Sequence, residues 1–272
     1  WRRRIEKLTD VFHIFRIDHI LGFYRIFSFP WRPQLNEDFI GLTEAEAKKI
    51  TGGPLPEFFP RNDDTAENRA LNLADGDKYL KVVQDAAGES EVVGEDLGCV
   101  PDYVRPHLDK LGIAGFKVCH WETTGDGEVV PGSDYPECAF TTYATHDHDS
   151  IPAMWNCLKG MLGGMEHEGA IRGLALLSDF AGLPKGDSAD SYAEYGSVVK
   201  WALLDRLLKS NANYAAVMIT DIIDSTRRIN IPGTVGGENW RYRLPWKIED
   251  MPEHLQQECT RLKELIHVSK RG

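Results

Sequence analysis

The sequence predicts an α/β fold: a (β/α)8 TIM barrel, present as a partial barrel with about its last five strands and their helices. Short apolar runs alternate with segments of helical period, as in a parallel sheet covered by helices. Several of these runs end in charged residues, and a barrel has its active site at the carboxyl ends of its strands. An open dinucleotide-binding sheet is disfavoured because no G-x-G-x-x-G motif is present.

The predicted elements follow from apolar period and from capping and breaking residues. We expect one barrel, with loop excursions over residues 23–75 and 120–140. In chain order the predicted elements are a helix (1–9), a strand (10–17), a short helix inside the first excursion (44–51), a helix (76–87), a strand (91–94), a helix (101–111), two strands (115–118 and 140–144), three helices (from 151, 167–182 and 190–209), a strand (214–219) and a last helix (253–268).

Composition limits the partners and the compartment. The 272 residues have a net charge of −11 and scattered basic residues, which argues against nucleic acid and anionic membranes and fits a neutral substrate. No apolar run approaches the roughly 18 residues of a membrane span, and no signal peptide is visible. Five widely spaced cysteines without a C-x-x-C motif predict reduced thiols, hence a cytoplasmic protein without a zinc site.

The first residues have the pattern of the interior of a helix. Ile5, Leu8 and Val11 have helical spacing, and no capping residue precedes them. We therefore expect the chain to be the C-terminal part of a longer protein in which the N-terminal strands of the barrel lie upstream. On its own, such a partial barrel would have an open sheet edge, and we expect the isolated chain to be inactive or nearly so.

Three carboxylates follow three predicted strands: Asp18, Glu95 and Asp147. Converging carboxylates are what glycoside cleavage requires, because one must attack the anomeric carbon and another must protonate the leaving oxygen. In a retaining mechanism that pair lies about 5–5.5 Å apart. Arg16 is two residues before Asp18, so strand alternation places both on one face, where the arginine can orient the carboxylate. A third acid can bind sugar hydroxyls.

These residues belong to motifs that resemble glycoside hydrolase family 77, the 4-alpha-glucanotransferases known as amylomaltases or disproportionating enzymes. Their order and spacing agree with that family up to about residue 246. The matching motifs are Arg16-Ile17-Asp18-His19 with Gly22-Phe23, Gly94-Glu95-Asp96-Leu97-Gly98, Gly115-Phe116-Lys117-Val118, Thr145-His146-Asp147, Asn230-Ile231-Pro232-Gly233-Thr234 and Asn239-Trp240-Arg241-Tyr242-Arg243.

The resemblance implies a role for each matched residue. Asp18 would be the nucleophile, Glu95 the general acid and then base, and Asp147 the group that binds the 2- and 3-hydroxyls of the sugar. The substrates would be α-1,4-glucans, with maltooligosaccharides as donor and acceptor and glucose among the products, and no cofactor or metal is expected. The other expected substrate-binding residues are Arg16, His19, His146, Asn230 and Trp240.

The chain departs from the family pattern at two places. His148 stands where family members often have Asn or Thr, and Thr220-Asp221-Ile222-Ile223 stands where they often have Gln-Asp-Leu-Leu. Neither departure touches the three acids, and both could alter sugar contacts.

Other interpretations of single residues stay open at this point. His146 and His148 with Asp147 and Asp149 have the spacing of a metal site, although no third ligand group stands out. Trp240 fits a core position as well as a sugar platform. His19 is expected to support Asp18 through a hydrogen bond. Asp96 is expected to pair locally.

Two other functions also fit the pattern. An α-amylase-type hydrolase would use the same three acids but release shorter sugars instead of elongated ones. The isolated chain could also be a glucan-binding remnant without catalytic activity.

Overall fold

The structure is a computed structural model that describes residues 1–186, 191–234 and 236–271. The contacts divide the chain into two compact units, Trp1–Phe116 and Lys117–Gly272. Each unit is described by itself.

Unit 1 is built on parallel strands, of which β1 and β4 end at the same level. Strand β1 pairs with β4 in a register that sets Ile17 opposite Gly94, and β4 pairs with β5 so that Gly94 lies opposite Gly115. The residues that follow β1 and β4 are therefore neighbours at one edge of the sheet. The elements that begin in this unit are α1 (Arg2–Thr9), β1 (Ile14–Ile17), β2 (Ile26–Ser28), α2 (Asn36–Phe39), α3 (Glu44–Thr51), β3 (Glu57–Phe59), α4 (Ala66–Ala87), β4 (Glu91–Gly94), α5 (Val104–Lys110) and β5 (Ala114–Val118).

An apolar core lies between these strands and helices α1, α4 and α5. Burial of such side chains is the main favourable term in folding. Tyr24 is fully buried and lies against α4 at Gly76, where a Cβ would come within 2.3 Å of the ring. Only glycine lets this helix approach the tyrosine so closely. The other buried side chains of this core include Ile5, Phe15, Ile17, Ile20, Leu80, Val83, Val92, Val104, Leu108 and Ile113.

The first excursion has more regular structure than the sequence suggests. Strands β2 and β3 form an antiparallel pair, and α3 begins with the predicted capping box of Thr43 and Glu46. Helix α4 begins at Ala66 rather than at residue 76, because Thr65 accepts a hydrogen bond from the backbone of Asn68 and caps the helix there.

Unit 2 also contains parallel strands. Strands β6 and β7 pair so that Phe140 lies opposite Tyr214, and the backbone N–H of Cys119, just after β5, donates to the carbonyl of Thr142. The core includes Trp155, Leu174 and Leu203, all fully buried. The elements are β6 (Ala139–Thr142), α6 (Ile151–Met161), α7 (His167–Ala181), α8 (Ser197–Leu208), β7 (Tyr214–Ala215), α9 (Ile219–Ile222), α10 (Met251–His254) and α11 (Gln256–Val268).

Several predicted boundaries are wrong. Val11 and Phe12 are 69% and 51% exposed, so the first strand is limited to Ile14–Ile17. Helix α5 begins at Val104, three residues after Pro101. The strand predicted over 214–219 ends at Ala215, because the chain turns at Met218 into α9.

Two helix predictions at the C-terminal end also need correction. Helix α8 begins at Ser197, whereas residue 190, the first of the helix predicted over 190–209, lies outside the described residues. The last helix is interrupted at Leu255, whose φ of −116° leaves the helical region. In the part of the chain that the structure describes, no helix combines the length and the apolar character needed to cross a membrane.

Candidate active site

Asp18 and Glu95 directly follow β1 and β4, and the sheet register makes them neighbours. The ladder continues one residue beyond the strands: Glu95 N–H donates to the carbonyl of Ile17, and Ile20 N–H donates to the carbonyl of Glu95, both at 2.9 Å. The backbone that positions the two carboxylates is therefore fixed by the sheet itself.

Arg16 is the partner of Asp18. Its Nη2 lies 2.5 Å from Asp18 Oδ1, and its guanidinium lies 5.5 Å from the ring centre of Phe116. The Asp18 side chain is 78% exposed, so the ion pair adds little to stability, about 0–1 kcal/mol for pairs of this kind. Its effect is to orient an accessible carboxylate, as the alternation of the strand predicts.

His19 contacts Glu95 through its backbone. Its φ of 45° is in the left-handed region, which is unusual for a residue other than glycine and is found preferentially at functional sites. In this conformation His19 N–H donates to Glu95 Oε2 at 2.7 Å, and Leu97 N–H donates to Oε1 at 3.2 Å. The sequence predicted that His19 supports Asp18, whereas the described hydrogen bond supports Glu95.

Asp96 has a structural role, as predicted. It is 1% exposed, and its carboxylate accepts hydrogen bonds from Phe116 N–H at 2.6 Å and from Arg105 Nε at 3.1 Å. A Cβ on Gly115 would lie only 3.0 Å from this carboxylate. Asp96 thus ties the segment that follows Glu95 to strand β5.

Two clefts of unit 1 share His19 as a lining residue. The first has a volume of about 550 Å³ and includes the Asp18 side chain among aromatic walls, a lining suited to the apolar face of a sugar ring. The second, of about 390 Å³, is more apolar and lies beside His19 and the residues after Glu95. The first cleft is lined by Trp1, Asp18, His19, Gly22, Phe23, Ile26 and Tyr79.

Asp147 lies in unit 2, in the loop between β6 and α6. Asn230 Nδ2 donates to Asp147 Oδ1 at 2.6 Å, and His146 Nε2 lies 3.3 Å from Oδ2. Arg228 Nη2 donates to the backbone carbonyl of Asp147 at 2.5 Å. Both carboxylate oxygens are therefore in contact with a nitrogen of a neighbouring side chain, and the loop itself is held by an arginine.

His146 and Trp240 form an aromatic pair beside Asp147. Their ring centres are 4.9 Å apart, and Asn230 N–H donates to the carbonyl of His146 at 3.1 Å. Trp240 is 62% exposed, so the structure excludes the core alternative for this residue. The Trp240 ring is accessible to a ligand, and its backbone is held by a bond from its N–H to Ile229 O.

His148 points to the other side of the same loop. Its Nδ1 accepts a hydrogen bond from Thr145 N–H at 3.2 Å, and its ring lies 5.0 Å from Trp121. Burial lowers the pKa of His148, and burial together with His148 lowers the pKa of His120 to about 4. Burial therefore favours the neutral form of both imidazoles. Among the described residues no group of three or more His, Cys, Asp or Glu side chains could hold a metal ion.

Two residues beside the Asp147 loop, Arg228 and Asp221, had no predicted role. Asp221 is 2% exposed, and its Oδ1 accepts a hydrogen bond from Ile151 N–H at 2.7 Å. Burial raises the pKa of Asp221 to about 6. In the sequence, Asp221 stands out only as the acid of the segment Thr220-Asp221-Ile222-Ile223, where it matches the Asp of the family pattern, and Arg228 belongs to none of the matched motifs.

The family is decided by a match over most of the chain: the family model described as 4-alpha-glucanotransferase, Glyco_hydro_77, matches residues 1–249. The chain belongs to glycoside hydrolase family 77. It is similar to the 4-alpha-glucanotransferase of Thermus thermophilus, with 27% identity over 100% of this chain and 45% of that protein. The 4-alpha-glucanotransferase of Chlamydia caviae is 26% identical over 93% of the chain and 42% of its own length.

Solved structures of amylomaltases share the fold. The enzyme from Corynebacterium glutamicum matches with a TM-score of 0.67 at 20% identity, over 97% of this chain and 37% of that one. The enzyme from Streptococcus agalactiae, solved with acarbose, matches with a TM-score of 0.63 at 20% identity, over 100% of this chain and 44% of that one. The prediction of a partial barrel is confirmed, and this family 77 chain spans less than half the length of these relatives.

Proposed function

We propose that this chain contains the reaction centre of a 4-alpha-glucanotransferase, which transfers α-1,4-glucan segments between maltooligosaccharides by a retaining double displacement. The observation that supports the proposal best is the placement of Asp18 and Glu95 at adjacent strand ends, with both oxygens of Glu95 held by backbone amides. A pair of fixed, neighbouring carboxyl groups is what retention of anomeric configuration requires.

In the first step Asp18 acts as nucleophile. Its carboxylate forms a bond to the anomeric carbon of the donor, and the bond from that carbon to the leaving oxygen breaks as Glu95 donates a proton to this oxygen. Arg16 keeps the attacking oxygen oriented through their ion pair. The products of this step are a shortened glucan and a covalent glucosyl ester on Asp18.

In the second step Glu95 acts as base. It removes a proton from the 4-hydroxyl of an acceptor glucan, whose oxygen attacks the anomeric carbon while the ester bond to Asp18 breaks. Glu95 is thereby returned to its protonated form, and Asp18 to its ionised form. Protons and charges balance over the cycle, so no cofactor is needed.

The unit 2 residues are proposed to bind the sugar ring. Asp147 is assigned the 2- and 3-hydroxyls, since a carboxylate can accept hydrogen bonds from two vicinal hydroxyls. Asn230 and His146 fix this carboxylate, and the exposed Trp240 offers a ring for stacking. His19 is assigned to the cleft beside Asp18, which it lines.

Transfer is favoured over hydrolysis because relatives that match over nearly the whole chain are named 4-alpha-glucanotransferases. The solved complex of the Streptococcus agalactiae enzyme with acarbose supports an oligosaccharide as ligand. We propose α-1,4-glucans as donor and acceptor, with glucose as a product of disproportionation and no nucleic acid partner.

The test is disproportionation by the complete reading frame that contains this chain. Purified protein is incubated with maltotriose, and the products are separated by chromatography. Glucose together with maltooligosaccharides longer than maltotriose is the expected result, and the Asp18→Asn variant serves as the inactive control. Shorter sugars without any elongated product would contradict transfer and support the hydrolase.

A further inference from the structure

Asp221 is a buried acid that the proposed reaction does not use. It lies in α9, is 2% exposed, and accepts a hydrogen bond from Ile151 N–H at 2.7 Å through Oδ1. Withdrawing a carboxylate from water costs free energy, which an apolar residue at the same place would avoid. A buried acid at this position therefore calls for an explanation beyond the filling of space.

The hydrogen bond from Ile151 N–H connects Asp221 to the start of helix α6. Ile151 is the first residue of α6, and this helix directly follows the loop that contains Asp147. Ser150, the N-cap of the same helix, donates through its hydroxyl to the carbonyl of Ser225 at 2.6 Å. The start of α6 is thus tied twice to the segment that begins with α9.

That segment continues to the residues that bind Asp147. Arg228 donates to the Asp147 carbonyl, and the Asn230 side chain donates to the Asp147 carboxylate. Residues 146–151 and 221–230 are therefore joined by hydrogen bonds along their whole length. Asp221 forms the buried end of this series and Asn230 the end beside the proposed sugar-binding carboxylate.

We propose that Asp221 is a positioning residue that sets the register of the Asp147 loop against the segment that supplies Arg228 and Asn230. Loss of the bond to Ile151 N–H would let α6 and the preceding loop shift, and the 2.6 Å contact between Asn230 and Asp147 would lengthen. The inference rests on the proposed function, because Asp147 is taken to bind the sugar.

The experiment is a double-mutant cycle in the complete reading frame. Asp221→Ala, Asp147→Asn and the double variant are compared by kcat/KM on maltotriose. If Asp221 acts through Asp147, Asp221→Ala lowers kcat/KM about tenfold in the original protein and less than about twofold in the Asp147→Asn background. An equal loss in both backgrounds, or no loss in either, would overturn the inference.

Two further variants separate positioning from folding. Asp221→Asn keeps an acceptor for Ile151 N–H and is expected to retain at least half of the activity. Asp221→Leu removes the acceptor without a buried charge, and it replaces Asp221→Ala in the cycle if the latter is insoluble. Thr220→Val is the matched control, because the buried Thr220 hydroxyl has no hydrogen-bond partner among the described residues; it is expected to leave kcat/KM unchanged.

The dissociation constant of acarbose is measured by calorimetry on the same variants. This dissociation constant tests the inference even if the protein lacks transfer activity. Acarbose binding that weakens with Asp221→Ala only when Asp147 is present supports it, whereas binding that is unaffected by Asp221→Ala contradicts it.

Discussion

Glu95 in unit 1 and Asp147 in unit 2 are fixed in different ways. In unit 1 both oxygens of Glu95 are held by backbone amides, those of His19 and Leu97. In unit 2 the Asp147 carboxylate contacts the side chains of Asn230 and His146. A carboxylate held by backbone is insensitive to the identity of its neighbours, whereas one held by side chains depends on each of them. The difference predicts where single substitutions should matter.

The largest expected effect comes from the acids of unit 1 themselves. Asp18→Asn and Glu95→Gln should each lower kcat on maltotriose by about 10³-fold or more, because neither amide can act as the nucleophile or transfer the proton. Steady-state kinetics in the complete reading frame measures this, and Asp10→Asn, which only breaks an exposed pair with Lys7, is the control. Turnover near the original rate in either variant would refute the assignment.

The next effect concerns the buried acid of unit 2. Burial raises the pKa of Asp221 to about 6 in the folded protein, against 3.8 for an ordinary carboxyl, so the folded state binds the proton more tightly than the unfolded state. Stability is therefore lost as the pH rises from about 4 through 6. The free energy of unfolding falls by about 3 kcal/mol at most. Above the pKa that Asp221 has in the folded protein, this group causes no further loss of stability.

Asp221→Asn removes this titration. The free energy of unfolding of the variant, relative to the original protein, should increase between pH 4 and pH 7.5 by up to about 3 kcal/mol. The ionisable groups coupled to Asp221 are Asp224, Tyr143 and Tyr195, and the buried Lys200 pairs with Asp224. Denaturant unfolding at the two pH values checks the prediction; a difference that stays constant with pH would show that Asp221 does not titrate in this range.

Asn230→Ala tests the dependence of Asp147 on a side chain. A hydrogen bond to a charged group contributes about 1.5–3 kcal/mol, so kcat/KM should fall by about 10- to 100-fold. Asn230→Asp should be worse, since it places a second negative charge against Asp147. Asn68→Ala, which removes a hydrogen bond to Asp64 in unit 1, is the control. If Asn230→Ala leaves kcat/KM unchanged, Asp147 does not depend on this side chain, and the contrast with Glu95 is wrong.

The smallest effect is expected at the glycine beside Asp96. A Cβ on Gly115 would lie 3.0–3.3 Å from the buried Asp96 carboxylate, so Gly115→Ala should cost about 1–2 kcal/mol of stability. Gly160→Ala, in helix α6 with open space around its Cα, should instead stabilise by about 0.5–1 kcal/mol. Thermal unfolding distinguishes the two variants. Equal changes of Tm in both would show that the Asp96 side chain moves freely.

The sequence was informative where chemistry coincides with local pattern. Asp18 and Glu95 could be placed because each directly follows an apolar run, and the register of parallel strands then makes them neighbours. Asp221 and Arg228 could not be assigned, because their bonds span 70 and 81 residues and leave no periodic trace. The early start of α4 was missed for a different reason: its first turns are polar, and only the cap at Thr65 marks them.

The left-handed turn at His19 has a consequence for the evolution of the proposed mechanism. The amide that holds Glu95 belongs to the residue next to Asp18, so one short piece of main chain connects the backbone positions on which the gap between the two carboxyl groups depends. Inversion of anomeric configuration needs a wider gap, about 6.5–9.5 Å, to admit a water molecule. An insertion or deletion between Ile17 and Ile20 would alter that gap, and under the proposed function it would change the stereochemistry of the product.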